Sequence, residues 1–163
     1  MINKVFLRFP GAIVVSLIIA ILLTLFPLPS SLAVWNPNWI LLTLIHWAVV
    51  TPKRIPLLFA WFTGLLIDTL YGTILGQHAL GFVLVLYFSI RFSERISPQV
   101  IWQQAFMILV VLGVYLLINL WILGVTGKSP HSWSYWLPLF SSIFIWPIWH
   151  KILNIFVTTR KHL

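Results

Sequence analysis

Cysteine is absent from the chain and acidic residues nearly so, with two Asp or Glu among 163 residues. Without thiols there is no disulfide framework and no thiolate metal site, and the redox compartment leaves no mark. The shortage of Asp and Glu removes the carboxylate pairs that hold divalent cations or share general acid–base work. Charged residues of either sign make up only 7%, against about 25% in a soluble domain. G-x-S-x-G, H-E-x-x-H and phosphate-cradling glycine loops are missing too, so the motifs of nucleophilic and metal-assisted catalysis are not there. Ser141, Ser142 and His150 share one apolar run, but His150 stands near the opposite end from the one embedded acid, so no nucleophile, base and orienter converge. The sequence therefore predicts no enzyme, no cofactor and no metal. No internal repeat relates the two halves, and inverted repeats are the main signature of secondary transporters.

What the chain has instead is apolar surface. Hydrophobic residues reach 61% and the mean hydropathy is +1.03, more than a water-soluble core of this size can absorb. This is the composition of an integral membrane protein, all-α, forming one domain over residues 1–163, since no polar stretch is long enough for a second. Apolar runs at about 10–28, 37–52, 56–75, 77–93, 98–125 and 133–152 predict a polytopic bundle of six transmembrane helices. Lys4 and Arg8 before the first run resemble a signal-peptide opening, and Ser31-Leu32-Ala33 a cleavage site. That run outlasts the usual apolar region of a signal peptide, so it reads as a retained helix. Ile2, Val5, Phe6 and Phe9 would lay a short amphipathic turn before it on the membrane surface. Pro27, Pro29, Pro52 and Pro56 break the runs, because proline lacks a donor and clashes with the preceding turn. Pro37 suits the first helical position of the second run, and Ser97-Pro98 reads as a cap and first residue of the fifth. Pro138 and Pro147 are candidate kinks in the sixth.

The net charge of +8 points to topology, not to nucleic acid, because the basic residues come in ones and twos between apolar runs. Lys4, Arg8, Lys53, Arg54, Arg91, Arg95, Lys151, Arg160 and Lys161 fall on one side of six spans and only Lys128 on the other. The positive-inside rule puts both termini in the cytoplasm, with Lys53, Arg54, Arg91 and Arg95 forming the cytoplasmic rim, where anionic lipid is an attractive partner. Trp133, Tyr135 and Trp136 would make an outer aromatic belt, and Trp146 and Trp149 an inner one.

Asp68 is the one acidic residue embedded in apolar sequence. Gly64, Asp68, Gly72 and Gly76 recur at steps of four, one slowly drifting face if the whole third run is helical, and small residues allow close helix approach. Counting rise from the basic turns places Asp68 about 21 Å above Arg54, Asn38 about 22 Å above Lys53, and Asn119 about 24 Å above Gln103. The three would form a polar layer with the glycines as packing positions. His46, only about 10 Å above Lys53, lies at the other level and reads as a packed core histidine. No Lys or Arg shares Asp68's level, so desolvation is expected to favour its neutral form. Three roles stay open for the layer: hydrogen-bonded glue between helices, a proton or ion relay, or contact with a small ligand.

Trp35-Asn36-Pro37-Asn38-Trp39-Ile40-Leu41-Leu42, Trp47, the Pro52-Lys53-Arg54 turn, Gly64-x-x-x-Asp68-x-x-x-Gly72-x-x-Leu75-Gly76, Trp102-Gln103-Gln104-Ala105 and Trp146-Pro147 come in an order that resembles the rod shape-determining protein MreD family. His46 departs from it, standing where a Tyr is expected before the Trp. The resemblance covers nearly the whole chain. It implies a non-enzymatic scaffold of the bacterial inner membrane that works in the cell-elongation machinery. It implies MreC as the direct partner, through transmembrane helices, and MreB filaments and peptidoglycan synthases as indirect ones. It also implies a fold similar to the substrate-binding subunits of energy-coupling-factor transporters. That likeness keeps an alternative open, a small-ligand or lipid-binding membrane subunit of a transport system.

Overall fold

In the computed structural model, which describes residues 4–7, 11–93, 100–127 and 132–160, prolines and glycines punctuate the helices. Helix α1 spans Ala12–Leu25 and stops before Pro27; a single turn, α2, covers Ser30–Ala33. Then come α3 (Trp39–Val50), α4 (Leu57–Tyr71), α5 (Gln77–Ser93), α6 (Ile101–Val125) and α7 (Leu137–Leu153). Short 3-10 turns at Trp133–Trp136 and Asn154–Phe156 bracket α7. Pro138 sits in the first turn of α7 and Pro147 inside it. The expected start of the fifth helix at Ser97-Pro98 lies outside the described residues, as do Arg95 and Lys128.

Near the termini the chain departs from the expected amphipathic turn. Lys4–Leu7 forms strand β1, antiparallel to β2 at Val157–Arg160, with Lys4 opposite Arg160 and Leu7 opposite Val157. A turn of helix there would leave its backbone donors without partners, whereas a two-stranded ladder satisfies them between the two ends of the chain.

Pairs of contacts define how the helices cross. Trp47 reaches Ser16, so α3 runs against α1; Asn38 meets Ser142 and His46 meets His150, so α3 and α7 run together. Asp68 meets His78, Gln77 meets Asn119, and Trp146 meets Gln104, which makes α4–α5, α5–α6 and α6–α7 antiparallel. Six helices thus cross the bundle in strict alternation, with α3 at the centre against α1, α5 and α7. Ten of the 12 residues of α3 are buried. The turn carrying exposed Lys53 and Arg54 lies at the same end as the close of α7, and α5 finishes there with Arg91 in its last turn, where a cation faces the negative end of the helix dipole.

Polar side chains sit within the apolar core, and large apolar ones cover the exterior. His46, Asp68, Gln104, Asn119 and Ser142 are buried, while Ile18, Leu22, Leu58, Phe62, Leu66 and Phe144 face outward. A continuous apolar exterior around a polar-studded interior is the surface of a membrane protein. Two helical stretches, Trp102–Val125 and Trp133–Phe156, are 24 residues each, long and apolar enough to cross a bilayer. Helix α5 covers the expected 77–93, while α1, α3 and α4 are shorter than the sequence implies. The third run, read as spanning to residue 75, is helical for only 15 residues, about 22 Å, because Gly72 turns it off. The inner aromatic belt is also corrected. Trp146 is 0% exposed and Trp149 5%, whereas Trp133 at the other end is 88% exposed. An indole with a polar partner inside the bundle needs no interface: Trp146 Nε1 donates to Gln104 Oε1 at 2.8 Å and Trp149 Nε1 to Thr43 Oγ1 at 3.1 Å.

Candidate functional site

A buried acid needs donors, and Asp68 finds them in the turn that follows its own helix. Gly72 adopts the left-handed conformation (φ 62°), and the amides of Gly72 and Thr73 both bond back to the Asp68 carbonyl, the glycine-terminated close of a helix. The chain then doubles back through Gly76 (φ 100°) into α5. Four donors converge on the Asp68 side chain. The Gly76 amide donates to Oδ2 at 2.8 Å; Oδ1 accepts from the His78 amide at 2.9 Å, Thr73 Oγ1 at 2.8 Å and His78 Nδ1 at 2.8 Å. Two of these are backbone donors at the N-terminus of α5, orphaned within that helix and at its positive end. Asp68 therefore caps α5 from α4, which is how an acid 1% exposed is accommodated without Lys or Arg. Two backbone amides and a hydroxyl directed at one acid from the positive end of a helix are arranged for a carboxylate. This replaces the expectation of a neutral acid.

The expected polar layer is redistributed. Asp68 bonds to neither Asn38 nor Asn119. Asn119 Oδ1 accepts from Gln77 Nε2 at 3.0 Å, and its own Nδ2 donates to the Tyr115 carbonyl at 3.0 Å. The Asn38 amide N–H donates to Ser142 Oγ at 3.0 Å, while its side-chain Nδ2 is buried without a partner. The three nevertheless occupy one end of the bundle. Asn38 and Asn119 line a cavity of about 410 Å³ together with Gln77, His78, Tyr115 and Tyr135. Behind it a smaller chamber of about 80 Å³ shares Asn38, His78 and Tyr115 and is otherwise walled by side chains such as Ile40, Leu41, Ile67 and Phe82.

The glycine face is likewise corrected. A Cβ on Gly72 or Gly76 would touch nothing within 4 Å; these two serve the turn, not helix packing. Gly64 does pack: its Cβ would fall onto the Ala79 backbone of α5. Gly81, not singled out from sequence, does the same against the Tyr115 ring of α6, with a Cβ 2.6 Å from Cδ2. Sequence reasoning does not reach Thr73 and His78, since an apolar run ending near residue 75 conceals that Asp68 recruits residues five and ten positions on. Asx-type turn chemistry after a glycine-ended helix was the available signal.

At the opposite end, His46 Nδ1 lies 3.1 Å from His150 Nδ1, with His46 fully buried among Trp47, Trp146 and His150 and its Nε2 without a partner. One Nδ1 carries a proton and the other accepts it. The pair joins α3 to α7. Among the described residues no three His, Cys, Asp or Glu side chains group as a metal site.

The family model for the rod shape-determining protein MreD matches residues 7–156. A curated rod shape-determining protein MreD from Haemophilus influenzae is 29% identical over 133 residues, covering 80% of each chain. No solved structure matches.

Proposed function

Because the chain belongs to the MreD family and so to rod-shape determination, we propose that it is a non-enzymatic, multi-pass scaffold of the bacterial inner membrane. It binds MreC directly and through it helps couple MreB filaments to peptidoglycan synthases. The observation that carries this reading is the apolar surface: large hydrophobic side chains cover the exterior of α1, α4 and α7. A protein with short loops has little aqueous surface, so recognition runs through lipid-facing helix faces, where close packing and small residues govern association. The alternating helices support six spans with both termini in the cytoplasm, with Lys53, Arg54, Arg91 and Arg95 on the cytoplasmic rim. The Asp68 centre supports a structural role over ion relay, since its contacts are all made within the turn that joins α4 to α5.

The natural absence of cysteine makes the test direct. Single cysteines at Ile18, Phe62 and Phe144, one on each outward face, are paired with a cysteine scan of the MreC transmembrane helix in native membranes. Cross-linking with helical periodicity on one of the three faces is expected. Absence of any MreC adduct at all three, with normal protein levels, overturns the direct-partner reading.

A further inference from the structure

The geometry points to a binding site for an uncharged, hydroxyl- or amide-bearing ligand in the paired cavities between the starts of α3 and α5 and the facing parts of α6 and α7. Donor and acceptor complement each other there. Asn38, which lines both cavities, has in Nδ2 a buried donor without a partner. The Gln77–Asn119 bond locks both amides and leaves the Gln77 carbonyl oxygen as an acceptor. A buried polar group without a partner is costly, so a ligand acceptor that reaches Asn38 recovers a loss already built into the fold.

Charge and shape narrow the class. Among the described residues no Lys, Arg, Asp or Glu lines either cavity, so an ionic ligand would be desolvated there with no counter-charge from them. The outer chamber, about 410 Å³, falls in the range of about 300–1,000 Å³ typical of small-molecule sites. Tyr115 and Tyr135 give it aromatic walls beside the amides, a combination that suits a ring with apolar faces and hydroxyl edges. The inner chamber, about 80 Å³ and mostly apolar, takes a small apolar substituent. A neutral sugar with an acetamido group meets all these terms, whether free or as the head of a glycolipid. The site is distinct from the MreC-binding role, so either reading can fail without the other.

The experiment uses the purified full chain in phosphatidylcholine nanodiscs, with saturation-transfer NMR reading bound sugar. The probes are free N-acetylglucosamine, free glucose and N-acetylglucosamine 6-phosphate, and, in a separate arm, an N-acetylglucosaminyl diacylglycerol carried in the disc and competed against the free sugars. Transfer to N-acetylglucosamine exceeding that to glucose and to the phosphorylated sugar is expected. Displacement by the glycolipid would identify a lipid head as the better source; no displacement would identify the free sugar. Asn38→Leu removes a side-chain donor that bonds to nothing in the protein, and Ala33→Trp fills the mouth of the outer chamber. Both should keep the melting temperature and weaken binding by about tenfold or more, in keeping with loss of a buried hydrogen bond. No transfer to either neutral probe or glycolipid, equal transfer to the charged sugar, or unchanged binding in both variants would overturn the site.

Discussion

At Asp68 the decisive quantity is the number of donors. An amide keeps one acceptor oxygen and turns an NH₂ toward donors that already need acceptors, so Asp68→Asn is no mimic here. Of the Gly76 amide, the His78 amide, Thr73 Oγ1 and His78 Nδ1, at least one would face another donor. The expected cost is about 1.5–3 kcal/mol, the range for hydrogen bonds to a charged group, with Asp68→Leu worse because it leaves all four orphaned. Unfolding of the purified variants in detergent measures this; wild-type stability in Asp68→Asn would mean that the group is held as a neutral acid. Sequence reasoning, seeing no Lys or Arg at that depth, favours the neutral form. Backbone N–H groups are invisible to a search for cationic side chains, and two of them stabilise this carboxylate.

Between elements, contact is set by glycines at Gly64 and Gly81 and by pairs of polar side chains. Gly64→Ala puts a methyl on the Ala79 backbone, which cannot yield as a flexible side chain would, so α4 and α5 must separate. A loss of about 1–3 kcal/mol is expected from such overpacking. Gly72→Ala meets empty space and suffers from its left-handed backbone alone, about 1–2 kcal/mol. Helix association should therefore fail in the first and survive in the second. Cross-linking of cysteines placed on facing positions of α4 and α5 distinguishes them; equal loss in both variants would return Gly72 to the packing face. The α3–α7 junction offers a separate check. His150→Phe strands both nitrogens of fully buried His46, at about 1–3 kcal/mol. Adding His46→Phe removes the orphaned donor and acceptor, so the double variant should be less destabilised than the sum of the singles. Strict additivity in thermal melts would show that the two rings do not interact.

On the scale of the whole molecule, the alternation of α1 and α3–α7 fixes which loops share a side. A cysteine replacing Lys53 or Arg54 should react with impermeant maleimide only after the membrane is opened from the cytoplasmic side, and one replacing Lys128 should react in intact spheroplasts. This rests on the nine-to-one distribution of basic residues. External labelling at Lys53 would break the six-span arrangement. The apolar, all-helical character, the one-sided distribution of basic residues and the approximate places of the helices were determined by the sequence itself, because hydropathy, proline and basic residues act locally and leave a linear record. The tertiary structure alone decided that Asp68 caps α5 instead of meeting Asn38 and Asn119. It also decided that Trp146 and Trp149 pin the core and that His46 pairs with His150. Each of these depends on which backbone and side-chain groups a turn or a helix crossing brings within about 3 Å, and periodicity along one helix carries no record of what the neighbouring helix presents.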